Sequence, residues 1–282
     1  MPALVLAPLS LTLSAAQALA EIKLSDDSPR QGETVEITVI PTDGAEGAQA
    51  PAEITFNKNT YKLFPDPGNP NAGRALVSIA ADLKPGRYTV QAGAEEKTIT
   101  AVDAKFPRQY LSLPKSKDNF IMSPGEEEAV DGAKRTVSDQ RLWSGHFTAP
   151  SKARVSAAFG LKRVVNGKLL DDYFHSGLDY AGWLGSPICA CGGGKVILAA
   201  HGYRLHGNVV AIDHGQGVVS FYLHMQKILV KVGQVVKGGE KIGLVGQTGR
   251  ANGPHLHFSI YVNQVAANPN FWYKHDFNQN QQ

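Results

Sequence analysis

Apolar and polar residues alternate in short runs along most of this chain. At residues 33–40, Val35, Ile37 and Val39 alternate with Glu36 and Thr38, the period-two pattern of a strand with one buried face. Further short strands are predicted at 54–56, 61–64 and 76–79, and Lys84-Pro85-Gly86-Arg87-Tyr88-Thr89-Val90 reads as a Pro-Gly turn feeding another. Turn-rich stretches at 41–51 and 65–73 separate them. This spacing predicts an immunoglobulin-like β-sandwich over residues 21–104, although the Cys and Trp hallmarks of that fold are missing.

The pattern changes over residues 105–149. Pro124 opens a predicted helix with Glu126, Glu127 and Glu128 in its first turn, where the helix dipole favours acids, and with Val130, Ala133 and Val137 on one stripe. The acid run is expected to be a solvated helix start, and the whole segment a linker whose helix packs between two domains. Glycine-punctuated β structure resumes over residues 150–270, with strands predicted at 196–199, 208–213, 218–224, 228–230, 241–245 and 256–261. Residues 271–282 read as a tail. The fold class is therefore mostly β, with a sandwich, a helical linker and an antiparallel β domain in that order.

Composition narrows the function. A chain of 282 residues allows about two domains, and 43% hydrophobic with 19% charged residues is ordinary for a globular protein. A net charge of +3 with no dense run of Lys and Arg gives no track for a phosphate backbone, so no nucleic acid partner is expected. The first twenty residues are almost all apolar or small and end in Ala18-Leu19-Ala20, which reads as a secretory signal peptide despite an n-region without Lys or Arg. That places the protein outside the cytoplasm, with the bacterial periplasm as the expected compartment. No other stretch is long and apolar enough to give a stable membrane span. Cys189 and Cys191 are the only cysteines; an extended Cys-x-Cys suits a disulfide poorly, so free thiols are expected.

The candidate chemistry sits in histidines. In Gly253-Pro254-His255-Leu256-His257-Phe258 a Gly-Pro turn leads into a strand, which puts two imidazoles on one face. Alone, such a pair is either two satisfied polar residues or half of a metal site. His175-Ser176-Gly177-Leu178-Asp179 offers the other half, because a catalytic zinc takes imidazole nitrogen and carboxylate oxygen from three protein ligands and leaves a fourth position for water. His175, Asp179 and one of His255 and His257 would make that set. No His-Glu-x-x-His helix supplies a glutamate base, so histidine must move the proton. His224, at the end of an apolar strand, and whichever of His255 and His257 is not a ligand are the candidates.

The order His-x-x-x-Asp, Tyr-x-His, Gly-x-x-x-Gly-Pro-His-x-His-Phe, found at His175 to Asp179, Tyr222 to His224 and Gly249 to Phe258, resembles the lysostaphin/LytM-type zinc endopeptidases that cut cell-wall peptides. Ala158-Phe159-Gly160, Ile212-Asp213-His214-Gly215 and Val232-Gly233-Gln234 support the resemblance, which covers residues 150–269. It implies that His175, Asp179 and His257 bind Zn2+, that His224 and His255 are catalytic, and that a zinc-bound water cleaves a peptidoglycan peptide held in a groove on a small antiparallel β core. An immunoglobulin-like front domain is similar to that of some Gram-negative, periplasmic members. Met225 stands where relatives often carry Leu, a volume-conserving exchange. Residues 163–173 are longer than in the smallest relatives and are expected to form a groove wall or lid.

The same sequence bears two other readings. A catalytically silent murein-binding or hydrolase-regulating relative would lack metal ligands, and this sequence keeps the full set. A biotinyl or lipoyl carrier is suggested by residues 230–243, but Lys237 and Lys241 lack the required context. His146, His201, His206 and His275 have no motif partner and are expected to be surface or packing residues, and His214 is expected to bond to the backbone.

Overall fold

The computed structural model describes residues 20–42, 49–112 and 120–277. The signal-peptide reading of residues 1–20 therefore lies outside the described residues except for Ala20, as do residues 278–282 of the tail.

Eight strands precede residue 102: β1 (Ala20–Leu24), β2 (Thr34–Pro41), β3 (Glu53–Phe56), β4 (Asn59–Lys62), β5 (Phe64–Asp66), β6 (Asn69–Ser78), β7 (Gly86–Ala92) and β8 (Glu95–Ala101). They form two antiparallel sheets, in orders β1-β2-β6-β5 and β4-β3-β7-β8. The alternation read from the sequence makes the sandwich, since Val35, Ile37, Val39 and Val77 from one sheet share a buried cluster with Ile54, Phe56, Val90 and Ile99 from the other.

Two predicted boundaries move. The strand expected at 61–64 is two strands, because the chain crosses at buried Leu63 from the second sheet to the first. Residues 65–73, expected to be a turn, mostly belong to β5 and β6, with Pro65 opposite Gly73 and Asp66 opposite Asn69. The register shift between those pairs leaves Pro70 in a bulge, where its missing N–H costs no ladder bond.

The segment expected to be a linker carries β9 (Arg108–Leu111) and α1 (Glu126–Lys134). Val130 and Ala133 of α1 cover Val209, Ala211, Val219 and Phe221 on the outer face of the following sheet. The helix stops at Lys134, so Val137 falls off the predicted stripe and is 43% exposed. The larger correction concerns Glu126. It is not solvated but fully buried, at 0% exposure.

Twelve strands and a short helix follow: β10 (Val155–Ala157), β11 (Lys162–Val165), β12 (Lys168–Phe174), β13 (Leu178–Tyr180), β14 (Pro187–Cys189), β15 (Gly194–Tyr203), β16 (Gly207–Gly215), β17 (Val218–Ile228), β18 (Val235–Val236), β19 (Lys241–Val245), β20 (Leu256–Val262), β21 (Val265–Ala267) and α2 (Pro269–Trp272). Ten of the strands form one sheet with the path β10-β13-β20-β17-β16-β15-β18, while β14, β19 and β21 pair beside it. No separate strand exists at 228–230, since Ile228 simply ends β17. The stretch 230–243 is likewise no self-contained unit, because β18 and β19 pair with β15 and β17. The hairpin β11–β12 stands apart, and β9 adds to it in parallel, a pairing the sequence could not announce. Bonds from Trp272 Nε1 to Thr34 Oγ1 and from Asn268 N to Gly32 O tie the two halves together. Both cysteines are free. No helix among the described residues is long and apolar enough to cross a membrane.

Candidate metal centre and active site

The pairing of three central strands brings the motif residues together. Asp179 on β13 lies directly opposite His257 on β20, and His257 in turn lies opposite Leu223 on β17, one residue before His224. His175 reaches the same point from the turn before β13. That turn is closed by Gly160 N–H donating to His175 O and His175 N–H donating to Leu161 O. Gly177, between the two motif residues, must be glycine for space, since a Cβ there would strike the carbonyl of Phe258 on β20.

Three donor atoms converge. His175 Nε2 is 3.1 Å from Asp179 Oδ1 and 3.1 Å from His257 Nδ1, and His257 Nδ1 is 2.9 Å from Asp179 Oδ1. His175 Nδ1 lies 2.7 Å from the Ala158 carbonyl, which can only accept, so Nδ1 carries the proton of the neutral ring and the Nε2 lone pair faces the cluster. Three lone-pair donors at this spacing match the edge of a tetrahedron drawn around zinc at its usual bond lengths, roughly 3.3 Å. The donor set and its geometry therefore fit one metal ion, and these residues are the group that could hold it among the described residues. Burial would raise the pKa of Asp179, but hydrogen bonding and charge from His175 and His257 hold it well below the usual carboxylate range. Burial pushes His257 down to about 4, which keeps its ring neutral and its lone pair available at neutral pH.

His224 and His255 flank this cluster, their ring centroids 4.8 Å apart. His224 has φ of 61°, a left-handed value, at the point where β17 leaves β20 and turns to pair with β19. A register shift against β16 marks the bulge there. Bulges of this kind re-aim a side chain, and the strain of about 1–3 kcal/mol is held by neighbours: His206 O accepts from His224 N–H at 3.0 Å, and Thr248 O accepts from Nδ1 at 2.9 Å. His255 Nδ1 similarly donates to Gly253 O at 2.9 Å. Each ring thus has its proton fixed on Nδ1 and its Nε2 lone pair free, and His255 Nε2 is 4.0 Å from Asp179 Oδ1. Burial, with the neighbouring rings of His255 and His257, keeps His224 well below the ordinary histidine range and so neutral.

The site opens into a groove of about 430 Å³ lined by Asp179, His224, His255 and His257. One wall is the β11–β12 hairpin, through Arg163 and Tyr173, as expected of the extra residues at 163–173. The other walls include Phe120, His206 and Arg250. Three of these contributions were missed in the sequence. Arg163 stacks on Tyr173 and places its guanidinium 3.6 Å from Asp179 Oδ2, the oxygen turned away from the cluster. Arg250 covers the Phe120 ring at 4.2 Å. His206, expected to be an ordinary surface or packing residue, bonds through Nδ1 to buried Glu126 at 2.7 Å. A signal existed for Glu126 alone: it lies four residues before Val130 and seven before Ala133, on their stripe. His214 meets its expectation, donating to Gly193 O at 2.7 Å, and Met225 is buried in the core.

A family profile described as peptidase family M23 matches residues 173–269, which contain all five motif residues. Over 126 residues the chain is 44% identical to the peptidoglycan DD-endopeptidase ShyB of Vibrio cholerae, covering 44% of this chain and 28% of that protein. It is 41% identical over 119 residues to ShyA, another peptidoglycan DD-endopeptidase of that organism, covering 41% and 26%. The chain thus spans less than a third of the length of these relatives. A crystal structure from Pseudomonas aeruginosa, provisionally assigned to peptidase M23, superposes with a TM-score of 0.63 at 28% identity, over 87% of this chain and 95% of the other. Residues 173–269 of this chain, with the five motif residues inside them, are thus similar to peptidase family M23.

Proposed function

We propose that the protein is a zinc-dependent endopeptidase that hydrolyses peptide bonds in peptidoglycan stems or cross-links, acting outside the cytoplasm after removal of a signal peptide. The observation that carries this reading is the convergence of His175 Nε2, Asp179 Oδ1 and His257 Nδ1 within 3.1 Å beside two further histidines in an open groove. The substrate class is taken from relatives named peptidoglycan DD-endopeptidases.

His175, Asp179 and His257 would hold the zinc, with the Arg163 guanidinium orienting the outer oxygen of Asp179. Zinc bound there acidifies water and polarises a scissile carbonyl. Proton transfer falls to His224 and His255, whose Nε2 atoms are free because Thr248 O and Gly253 O fix each Nδ1–H. A neutral imidazole takes a proton through Nε2 as general base and, once protonated, returns it to a leaving amine. Both rings present the lone pair that the first task needs, so either can serve as the base.

Digestion of purified murein by zinc-loaded protein, with products identified by mass, tests the reading. New amino and carboxyl termini at one cross-link or stem position, abolished by chelation, are expected. Stoichiometric zinc without any cleavage would leave a murein-binding relative as the better account.

A further inference from the structure

Glu126 belongs to the segment before the peptidase match, yet its carboxylate is fully buried against a turn of the catalytic domain. Oε1 accepts from Leu205 N–H at 3.0 Å, from His206 N–H at 2.9 Å and from His206 Nδ1 at 2.7 Å. Oε2 accepts from Arg204 N–H at 3.0 Å and from Ser123 N–H at 2.7 Å. Three consecutive backbone N–H groups thus point at one carboxylate, the arrangement by which a loop grips an anion.

The same turn faces the other way with its carbonyls. His206 O accepts from His224 N–H at 3.0 Å, and Leu205 O accepts from Arg250 N–H at 3.0 Å. His224 is the residue at φ of 61°, a conformation that persists only when its surroundings impose it. Gly207, which follows the turn, abuts Thr248, whose carbonyl orients the His224 ring. Both the backbone and the ring of His224 are therefore fixed by a turn region that has an acid from outside the peptidase domain at its centre.

We infer that Glu126 is a positioning residue for His224: its carboxylate holds the Arg204–His206 turn, and the turn holds His224 at the bulge with Nε2 aimed into the groove. The role rests on the hydrolase reading of this site. Helix α1 serves the reaction through this contact, besides covering apolar surface with Val130 and Ala133. Glu127 and Glu128, its neighbours in the same turn, are exposed, and Glu128 pairs with Arg135 instead.

The test compares full-length, zinc-loaded wild type with Glu126→Gln, Glu126→Asp and Glu127→Gln on a soluble cross-linked muropeptide dimer. An amide presents an N–H to backbone donors where the carboxylate only accepted, so Glu126→Gln is expected to lower kcat on the order of 10- to 100-fold with KM little changed and zinc retained. The exchange of the His224 amide proton should speed up on the order of 10-fold, since local opening of the turn releases it. Glu126→Asp should recover part of kcat, and Glu127→Gln should match wild type. A folded Glu126→Gln enzyme with wild-type kcat and wild-type exchange at His224 overturns the inference. If Glu126→Gln does not fold, exchange in the wild type decides: amides of Arg204, Leu205, His206 and His224 that open as one unit support it, and free exchange at 204–206 beside a protected His224 overturns it. Failure of the wild type to cleave murein counts against the hydrolase reading instead, and the exchange measurements remain in force.

Discussion

Asp179 and His257 are register partners on adjacent antiparallel strands, and their donor atoms lie 2.9 Å apart. Two of the three side chains proposed to hold the metal are thus set by a backbone ladder, and only His175 depends on a turn. Replacing Asp179 or His257 with Ala removes one donor from a site that needs three. Both variants are expected to purify with far less than one zinc per chain by elemental analysis and with no detectable murein cleavage. Stoichiometric zinc in either variant would contradict the assignment.

Gly177 makes the sharpest structural test of the same pairing. A Cβ at this position collides with the Phe258 carbonyl, a backbone atom of β20 that cannot swing aside. Gly177→Ala is expected to cost about 1–3 kcal/mol in urea unfolding, as overpacking does, and to weaken zinc binding because β13 is pushed off β20. A variant that unfolds like wild type and binds zinc normally would show that the turn relaxes freely.

His224→Ala and His255→Ala should separate chemistry from metal. Neither residue supplies a donor atom to the cluster, so zinc content is expected to stay at wild-type level while cleavage falls on the order of 10²- to 10⁴-fold. The left-handed backbone at His224 adds a second readout. His224→Gly should be more stable than His224→Ala by about 1 kcal/mol, since glycine adopts that φ without a Cβ clash. Equal stabilities would mean the strain is absent in solution.

The sequence announced what depends on short spacing. His175 and Asp179, four apart across a turn, and His255 and His257, two apart at a strand, could be placed on one site because both intervals fix direction. Strands such as β16 and β19 were legible from apolar runs between glycines. What escaped depends on distant partners. The parallel pairing of β9 with β11, the approach of Arg163 to Asp179 and the sheet-switching at Leu63 follow from tertiary geometry that no local pattern encodes. Glu126 is an intermediate case: its place on the Val130 and Ala133 stripe marked it for burial, but three consecutive acids suggested solvent.

The two cysteines give a direct check on burial. Burial pushes the Cys191 thiol up to about 12, whereas Cys189 is partly exposed at the end of β14. A thiolate is the reactive form, so an alkylating reagent near pH 8 is expected to add once to the native protein, at Cys189, and twice in denaturant. Two native adducts formed at equal rates would show that the core around Cys191 opens.

Acid should reveal the Glu126 contact through stability as well as rate. Burial alone would raise its pKa, but the N–H groups of Ser123 and His206, the His206 ring and Leu205 N–H together hold it down at about 2, against an ordinary value of 4.5. A carboxylate with a depressed pKa in the folded state adds stability that is present in full above the unfolded value and is lost as pH falls through the folded value. For Glu126 the window runs from about 4.5 down to about 2, and the full effect is roughly 3 kcal/mol. Other carboxylates titrate in the same range, so the measurement is a difference: urea midpoints of wild type and Glu126→Gln from pH 6 to pH 2. Wild type should lead by the most above pH 5, and the gap should close as acid protonates Glu126, because the variant has no charge there to lose. A gap that stays constant with pH would mean that the carboxylate carries no charge in its buried site and that packing alone accounts for its place in the fold.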